Sequence, residues 1–163
     1  MAAYCIRPYR DGDAEVLVEI ITAAITLIGP HAYSAEQTAA WAARRPGGDR
    51  FRERVAAGHA ISVAVDEDDR PVAYALLEPD GHLDHLYNHP DHTRRGLAAH
   101  LLDWSEAHAR TQSLARIYTE ASELARPAFE RAGYVVTGKR EFTIAHAGRD
   151  IQIHNWAMEK RLR

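Results

Sequence analysis

Residues 85–102, HLYNHPDHTRRGLAAHLL, carry a partly apolar strand through a knot of His, Pro and Asp into an amphipathic helix. Pro90 cannot serve a strand ladder, so the strand stops there. Leu97, Leu101 and Leu102 recur at helical spacing, and the helix they predict, about Arg94 to Thr111, has an apolar face that needs a sheet to cover it. A further strand, LARIYTEA, comes next. Two strands joined through a helix form a crossover, and crossover strands run parallel in one sheet. No other stretch narrows the fold as much.

The flanking segments supply antiparallel pieces. AYCIRPYR alternates loosely and reads as a strand, with Cys5 expected as a small buried residue. DGDAEVLVEIITAAITLIG reads as a helix capped by Asp11 or Asp13 and ended by Gly29-Pro30. SAEQTAAWAARR opens on Ser34 as a second helix, and GGDRFRERVAAG is a short third one closed by Gly58. Residues 59–89 hold three strands broken at DEDDRP and EPDG. In the long helix after them, Trp104 and Ala109 join the leucines on the core face. SELARPAFERAG is a helix ended by Gly133, and YVVTGKREFTI and DIQIHNWAMEK form a closing hairpin across AHAGR. Hairpins combined with one crossover predict an α+β fold, a central mixed sheet flanked by helices.

At 163 residues with no long linker, the chain reads as one domain, 1–163. The formal charge of −3 argues against nucleic-acid binding driven by bulk charge. Cys5 is the single cysteine, which excludes a disulfide framework and a cysteine zinc site. No apolar run approaches membrane-spanning length and the N-terminus lacks a basic-then-apolar signal pattern, so we read a cytoplasmic protein with no membrane partner. His82, His85, His89 and His92 form a dense run, but it crosses a strand, a turn and a proline, so no metal site is expected from it.

A strand that turns directly into a helix aims free backbone N–H groups at one spot, where the helix dipole adds positive charge. Gly96 removes a side chain there, Ala98 keeps the next turn small, and Arg94 and Arg95 add mobile positive charge suited to phosphate. The pattern is a diphosphate cradle without the Gly-Lys-Ser/Thr of a Walker loop.

These residues resemble motif A of the GNAT superfamily of acetyl-CoA-dependent N-acetyltransferases, Gln/Arg-x-x-Gly-x-Gly/Ala after a strand. Here the motif reads Thr93-Arg94-Arg95-Gly96-Leu97-Ala98, with Thr in the first place. A second family pattern aligns with Ser122, Ala125, Ala128, Phe129, Gly133 and Tyr134, and the opening strand and helix and the closing strand are also similar to the family's. The resemblance covers nearly the whole chain. It implies the GNAT-like acyl-CoA N-acyltransferase fold, acetyl-CoA as co-substrate, an amine acceptor, and compatibility with a homodimer through the final strands.

The resemblance also implies roles. The strand before motif A splays from its neighbour, and the pantetheine arm pairs with Leu86, Tyr87 and Asn88. The pyrophosphate rests on the amides of Arg94, Arg95, Gly96, Leu97, Ala98 and Ala99, next to Thr93, while Ser122 and Phe129 border the coenzyme. Asp84 and His85 are the candidate bases. Strand alternation places them on opposite faces, so one of the two is expected in the cleft, with Asp84 preferred. His31, Tyr33 and Trp41 are expected to wall the acceptor pocket. Phe129 stands where the family's common proton donor is a tyrosine, and phenylalanine donates no proton. Tyr87, Tyr118 and Tyr134 are the candidate substitutes. The alternative to an enzyme is a catalytically weak coenzyme-A-binding sensor or structural module on the same fold.

Overall fold

The computed structural model describes residues 3–163. Strands β1 (Cys5–Pro8), β2 (Ala60–Val65), β3 (Pro71–Leu77) and β4 (Leu83–Asn88) form an antiparallel sheet in chain order. Strands β5 (Arg116–Ala121), β6 (Val135–His146) and β7 (Arg149–Arg161) form a second antiparallel sheet, with β7 in the middle. The central sheet is thus two halves. They meet between β4 and β5, where His82 and Tyr118 make a parallel bridge. The Tyr118 amide donates to the Gly81 carbonyl at 3.0 Å, and the Thr119 hydroxyl donates to the Leu83 carbonyl at 2.7 Å. Past that vertex the two strands part, leaving the outer edge of β4 without a strand partner.

Gly81 makes the vertex possible. Its φ is +99°, in the region that suits glycine, and a Cβ there would lie 2.5 Å from the Arg116 carbonyl oxygen.

Helices cover both faces of the first sheet. On one face, α4 (Leu97–Thr111) buries Leu97, Leu101 and Leu102 among Ala73, Ala75, Leu83 and Ile117. On the other, α1 (Ala14–Ala23) sets Leu17, Ile20 and Ile21 against Ile61, Val63, Tyr74 and Leu76. Every residue of β3 is buried, as two covered faces require. Each large apolar side chain so enclosed contributes about 1.5–3 kcal/mol. The helix predicted through Ile28 changes character at Ala24, where a π-helical turn runs to Ile28. Ser34 caps α2 (Ala35–Ala42) in a reciprocal box with Gln37, and α3 (Gly48–Ala56) and α5 (Arg126–Arg131) complete the helices. The closing hairpin extends further than expected, its turn reduced to Ala147 and Gly148, both at positive φ, as a two-residue turn of this kind needs.

Three expectations need correction. Cys5 is exposed, because its place on edge strand β1 turns it to solvent. The long helix begins at Leu97, since Arg94 (φ +59°) and Gly96 (φ +74°) are left-handed and cannot belong to it. Trp104 is half-buried and stacks on His108 at 5.4 Å, while Ser105 and Glu106 take the buried positions. Glu106 is buried because Lys160 of β7 reaches it, with Nζ 2.8 and 2.9 Å from its two oxygens.

Candidate active site

The gap left by the parting strands opens into a cleft of about 770 Å³, walled by β4, β5 and the faces of β6 and β7. Its shape depends on an irregularity in β4. His85 opposes Leu76 and Leu83 opposes Leu77, so Asp84 is left without a partner. A bulge of this kind re-aims the extra side chain. Both Asp84 and His85 consequently line the cleft, which corrects the expectation that alternation would admit one.

Their electrostatics differ sharply. Burial works to raise the Asp84 carboxyl, but the neighbouring histidine and Arg54 outweigh it and hold it below the usual carboxylate range. Arg54 of α3 places Nη1 2.6 Å from Asp84 Oδ2 and Nη2 3.3 Å from Glu78 Oε1. The His85 side chain is 11% exposed. Burial pushes its imidazole down to about 4, so it is neutral near pH 7. The Tyr74 hydroxyl lies 3.0 Å from His85 Nδ1, and burial raises that phenol well above its ordinary value. We assign the tautomer in which Tyr74 donates to Nδ1, which leaves the proton on Nε2, 3.4 Å from Asp84 Oδ2.

Beside the vertex, His82 lies between two carboxylates. Nδ1 is 2.7 Å from Glu78 Oε1, and Nε2 meets Glu120 Oε2. The bond to Glu120 first, and that to Glu78, raise the imidazole to about 9 against the cost of burial, so it is cationic at neutral pH. Glu78, His82 and Asp84 bring ligand atoms within 4.8 Å of one another. Arg54 already supplies positive charge between Glu78 and Asp84. The histidine run divides among separate partners: His82 with the glutamates, His85 with Tyr74, and His92 with Tyr4.

Beyond the C-terminal end of β4, the chain makes the predicted turn into α4. Among the described residues, the amides of Arg94, Arg95, Gly96, Leu97, Ala98 and Ala99 donate to no protein acceptor, and the first capped amide is that of His100, bonded to the Gly96 carbonyl at 3.3 Å. No neighbour lies within 4 Å of where a Gly96 Cβ would be, so glycine is needed here for its positive φ. Leu97 offers its amide alone, since its side chain is in the core. Thr93 turns its hydroxyl back to the Pro90 carbonyl at 3.2 Å.

The other expected residues divide as follows. Leu86, Tyr87, Ser122 and Phe129 line the cleft, and Asn88 does not. Ser122 Oγ accepts from the Ala125 amide at 3.1 Å and so shapes the start of α5. Phe129 is buried edge-on against Tyr134. Of the three tyrosines considered as proton donors, Tyr87 alone lines the cleft. Trp41 and Tyr33 form part of the wall, their rings 5.6 Å apart. Tyr33 donates to the His154 carbonyl at 3.0 Å and accepts from the Glu123 amide at 2.9 Å, so its hydroxyl is fully engaged in holding α2 to the second sheet. His31 is a correction. It sits exposed on the turn before α2, outside the lining, because the tight turn at Gly29–His31 leaves it on the outside.

The structure thus holds a row of free amides at the start of α4, a strand before it with an open edge, and an ionised carboxylate on that strand in the cleft. The family model described as "Acetyltransferase (GNAT) domain" matches residues 30–147. The chain belongs to the GNAT acetyltransferase family. Like other members, it is an acyltransferase. The uncharacterized N-acetyltransferase YafP of Escherichia coli (strain K12) is 30% identical over 129 residues, 79% of either chain. A GCN5-related N-acetyltransferase (aminotransferase, class-II) from Rhodopseudomonas palustris superposes with a TM-score of 0.85 at 32% identity, covering 99% of this chain and 98% of that one. PaiA N-acetyltransferase from Thermoplasma acidophilum, solved in complex with coenzyme A, shares the fold with a TM-score of 0.78 at 15% identity, covering 98% and 99% of the two chains.

Sequence reasoning missed Arg54, Gly81 and Glu120, and it weighed His82 only as a metal ligand and not as the partner of two glutamates. Arg50 and Arg54 stand four apart in RFRERV, the spacing that puts two side chains on one helix face, and that signal was available. Glu120 and Gly81 carried none, since their roles depend on where β4 meets β5.

Proposed function

We propose that this acetyltransferase moves the acetyl group of acetyl-CoA to a primary amine by direct attack on the thioester. The observation that carries the reading is the row of unengaged amides at residues 94–99, which follows the open-edged strand β4 in the chain. The pyrophosphate rests on those amides, where the α4 dipole and Arg94 and Arg95 favour negative charge. The pantetheine arm runs along Leu86, Tyr87 and Asn88, with Ser122 and Phe129 on its far side. The thioester then lies in the cleft beside Asp84.

The amine nitrogen attacks the carbonyl carbon, the C–N bond forms, and the C–S bond breaks with its electron pair leaving on sulfur. The nitrogen loses a proton and the thiolate gains one. The acceptor attacks as the neutral amine. Asp84, kept ionised by Arg54, stabilises the positive charge that develops on nitrogen. It accepts the proton directly or through a water as the C–N bond forms and the nitrogen becomes acidic. His85, held by Tyr74 with Nε2 3.4 Å from Asp84 Oδ2, acts as a positioning residue beside the carboxylate. Phe129 leaves no tyrosine at the thiolate, and burial makes the Tyr87 phenol a weaker acid than usual, so water supplies that proton.

Phe129 also favours a second reading, a coenzyme-A-binding module with little catalysis. Titration with acetyl-CoA and coenzyme A, followed by thiol release with a panel of amines, tests both. Micromolar binding with turnover supports the enzyme, binding without turnover supports the module, and no binding sinks both.

A further inference from the structure

The cleft is lined by five arginines, Arg44, Arg45, Arg50, Arg54 and Arg140. Three have acidic neighbours. Arg54 holds Asp84 and Glu78, Arg50 reaches Glu53 at 3.2 Å, and Arg140 lies 3.8 Å from Glu120. Among the described residues, Arg44 and Arg45 have no carboxylate within 4.0 Å. Arg45 commits one N–H to the Ala42 carbonyl at 3.0 Å, which leaves most of its five donors open. Arg44 makes no side-chain hydrogen bond among the described residues.

Several features set this pair apart from ordinary surface charge. The chain as a whole is acidic, at −3, so two exposed, uncompensated cations lining the cleft are not the overflow of a basic protein. Their backbone is fixed: the amides of Arg44 and Arg45 donate to the Trp41 and Ala42 carbonyls at 3.1 and 3.2 Å, and Pro46 follows. The proposed coenzyme phosphates have their own seat at residues 94–99, none of which lines this cleft. Part of the wall is apolar and aromatic, with Trp41, Phe142, Ile144 and Ile153, beside the polar His154 and Asn155. Both arginine side chains are exposed, and their guanidinium forks match the geometry of a carboxylate.

We propose that the acceptor is a small amine that also carries a carboxylate, an amino-acid-like zwitterion, held by Arg44 and Arg45 with its side chain against the apolar wall. The amine then faces Asp84 on the same lining, so cationic and anionic groups of the cleft together set the acceptor's direction. This inference rests on the acetyltransferase reading and narrows its acceptor. A lysine on a protein surface lacks the free carboxylate and would face these cations unpaired.

The test uses L-phenylalanine, L-leucine and L-methionine, each beside its carboxamide and its decarboxylated amine, at saturating acetyl-CoA with thiol release as the readout. For wild type, kcat/KM for at least one acid should exceed that of its amide and amine by about tenfold or more. In the double variant Arg44→Gln, Arg45→Gln that preference should collapse toward unity while acetyl-CoA affinity, measured by titration, stays unchanged. Equal rates for acid and amide in wild type, or a preference that survives in the variant, overturn the proposal. A panel in which no acid turns over also overturns it, and intact acetyl-CoA binding would then leave the acetyltransferase reading standing. Loss of acetyl-CoA binding in wild type would instead remove that reading, and this one with it.

Discussion

Past the C-terminal end of β4, the proposed phosphate seat consists of backbone amides from one unbroken stretch, residues 94–99. Along β4 itself, the cleft is made of side chains drawn from α2, α3, β4, β5, β6 and β7. The seat needs correct φ angles and a helix behind it. The cleft needs a bulge, a vertex and a network of ion pairs, all formed together. A backbone site tolerates side-chain change and a side-chain site does not, so the two regions should respond to mutation in separable ways.

The largest separation is expected at Asp84. Asp84→Asn keeps the shape and removes the charge, so kcat at saturating acetyl-CoA should fall by about 10²–10⁴-fold with coenzyme affinity nearly constant. A variant with wild-type turnover would move the proton to His85 or water, and the two regions would no longer divide binding from chemistry. Gly81→Ala strikes the vertex from which both regions diverge. Its strained φ and the contact with the Arg116 carbonyl should cost about 2–3 kcal/mol in stability, read by denaturant unfolding. An unchanged midpoint would show that the strands part without help from a glycine.

The seat predicts a graded response. Replacing Arg94 and Arg95 together by Glu puts negative charge beside the proposed pyrophosphate and should raise the coenzyme Kd by about thirtyfold, roughly 2 kcal/mol, with kcat at saturation little changed. Replacing both by Ala should raise Kd only a fewfold, because the amides remain. If the alanine variant lost as much as the glutamate variant, the side chains would be carrying the site and the contrast with the cleft would fail.

The same difference explains what the sequence could reveal. The seat was legible because strand, Pro90, Gly96 and leucine spacing are all local, and the error there was confined to the helix start, shifted from Arg94 to Leu97 by two left-handed residues. The fold was legible because hairpins and one crossover leave few arrangements. The cleft was legible only in part. Asp84 and His85 both line the cleft, but their common face was not expected, since a bulge is set by the partner strand's register. His31 was placed in the wall by position alone, and the turn at Gly29 sends it outward. Arg54, His82 and Glu120 become a network only when α3, β4 and β5 converge, which no local pattern encodes.

That network gives the smallest expected effect and the finest test of how the cleft is held. His82 faces Glu78 from the preceding turn, Asp84 on β4, Glu120 and Tyr118 on β5, and the more distant cations Arg54 and Arg140. Its pKa rises from an ordinary 6.5 to about 9 in the fold, led by the bond to Glu120. A raised value means that the native state binds the proton more tightly. The imidazolium therefore stabilises the fold fully below about pH 6.5, and the contribution fades as pH climbs through about 9. Glu120, held low chiefly by the same bond, acts in the opposite sense and loses its contribution in acid. Thermal unfolding at pH 6, 7.5 and 9 should show wild-type Tm declining toward alkaline pH, with a visibly flatter profile for His82→Gln. Parallel profiles would mean that the vertex is held by Gly81 and the Thr119 hydroxyl alone, and that the charge chain across the cleft floor serves the acceptor without supporting the fold.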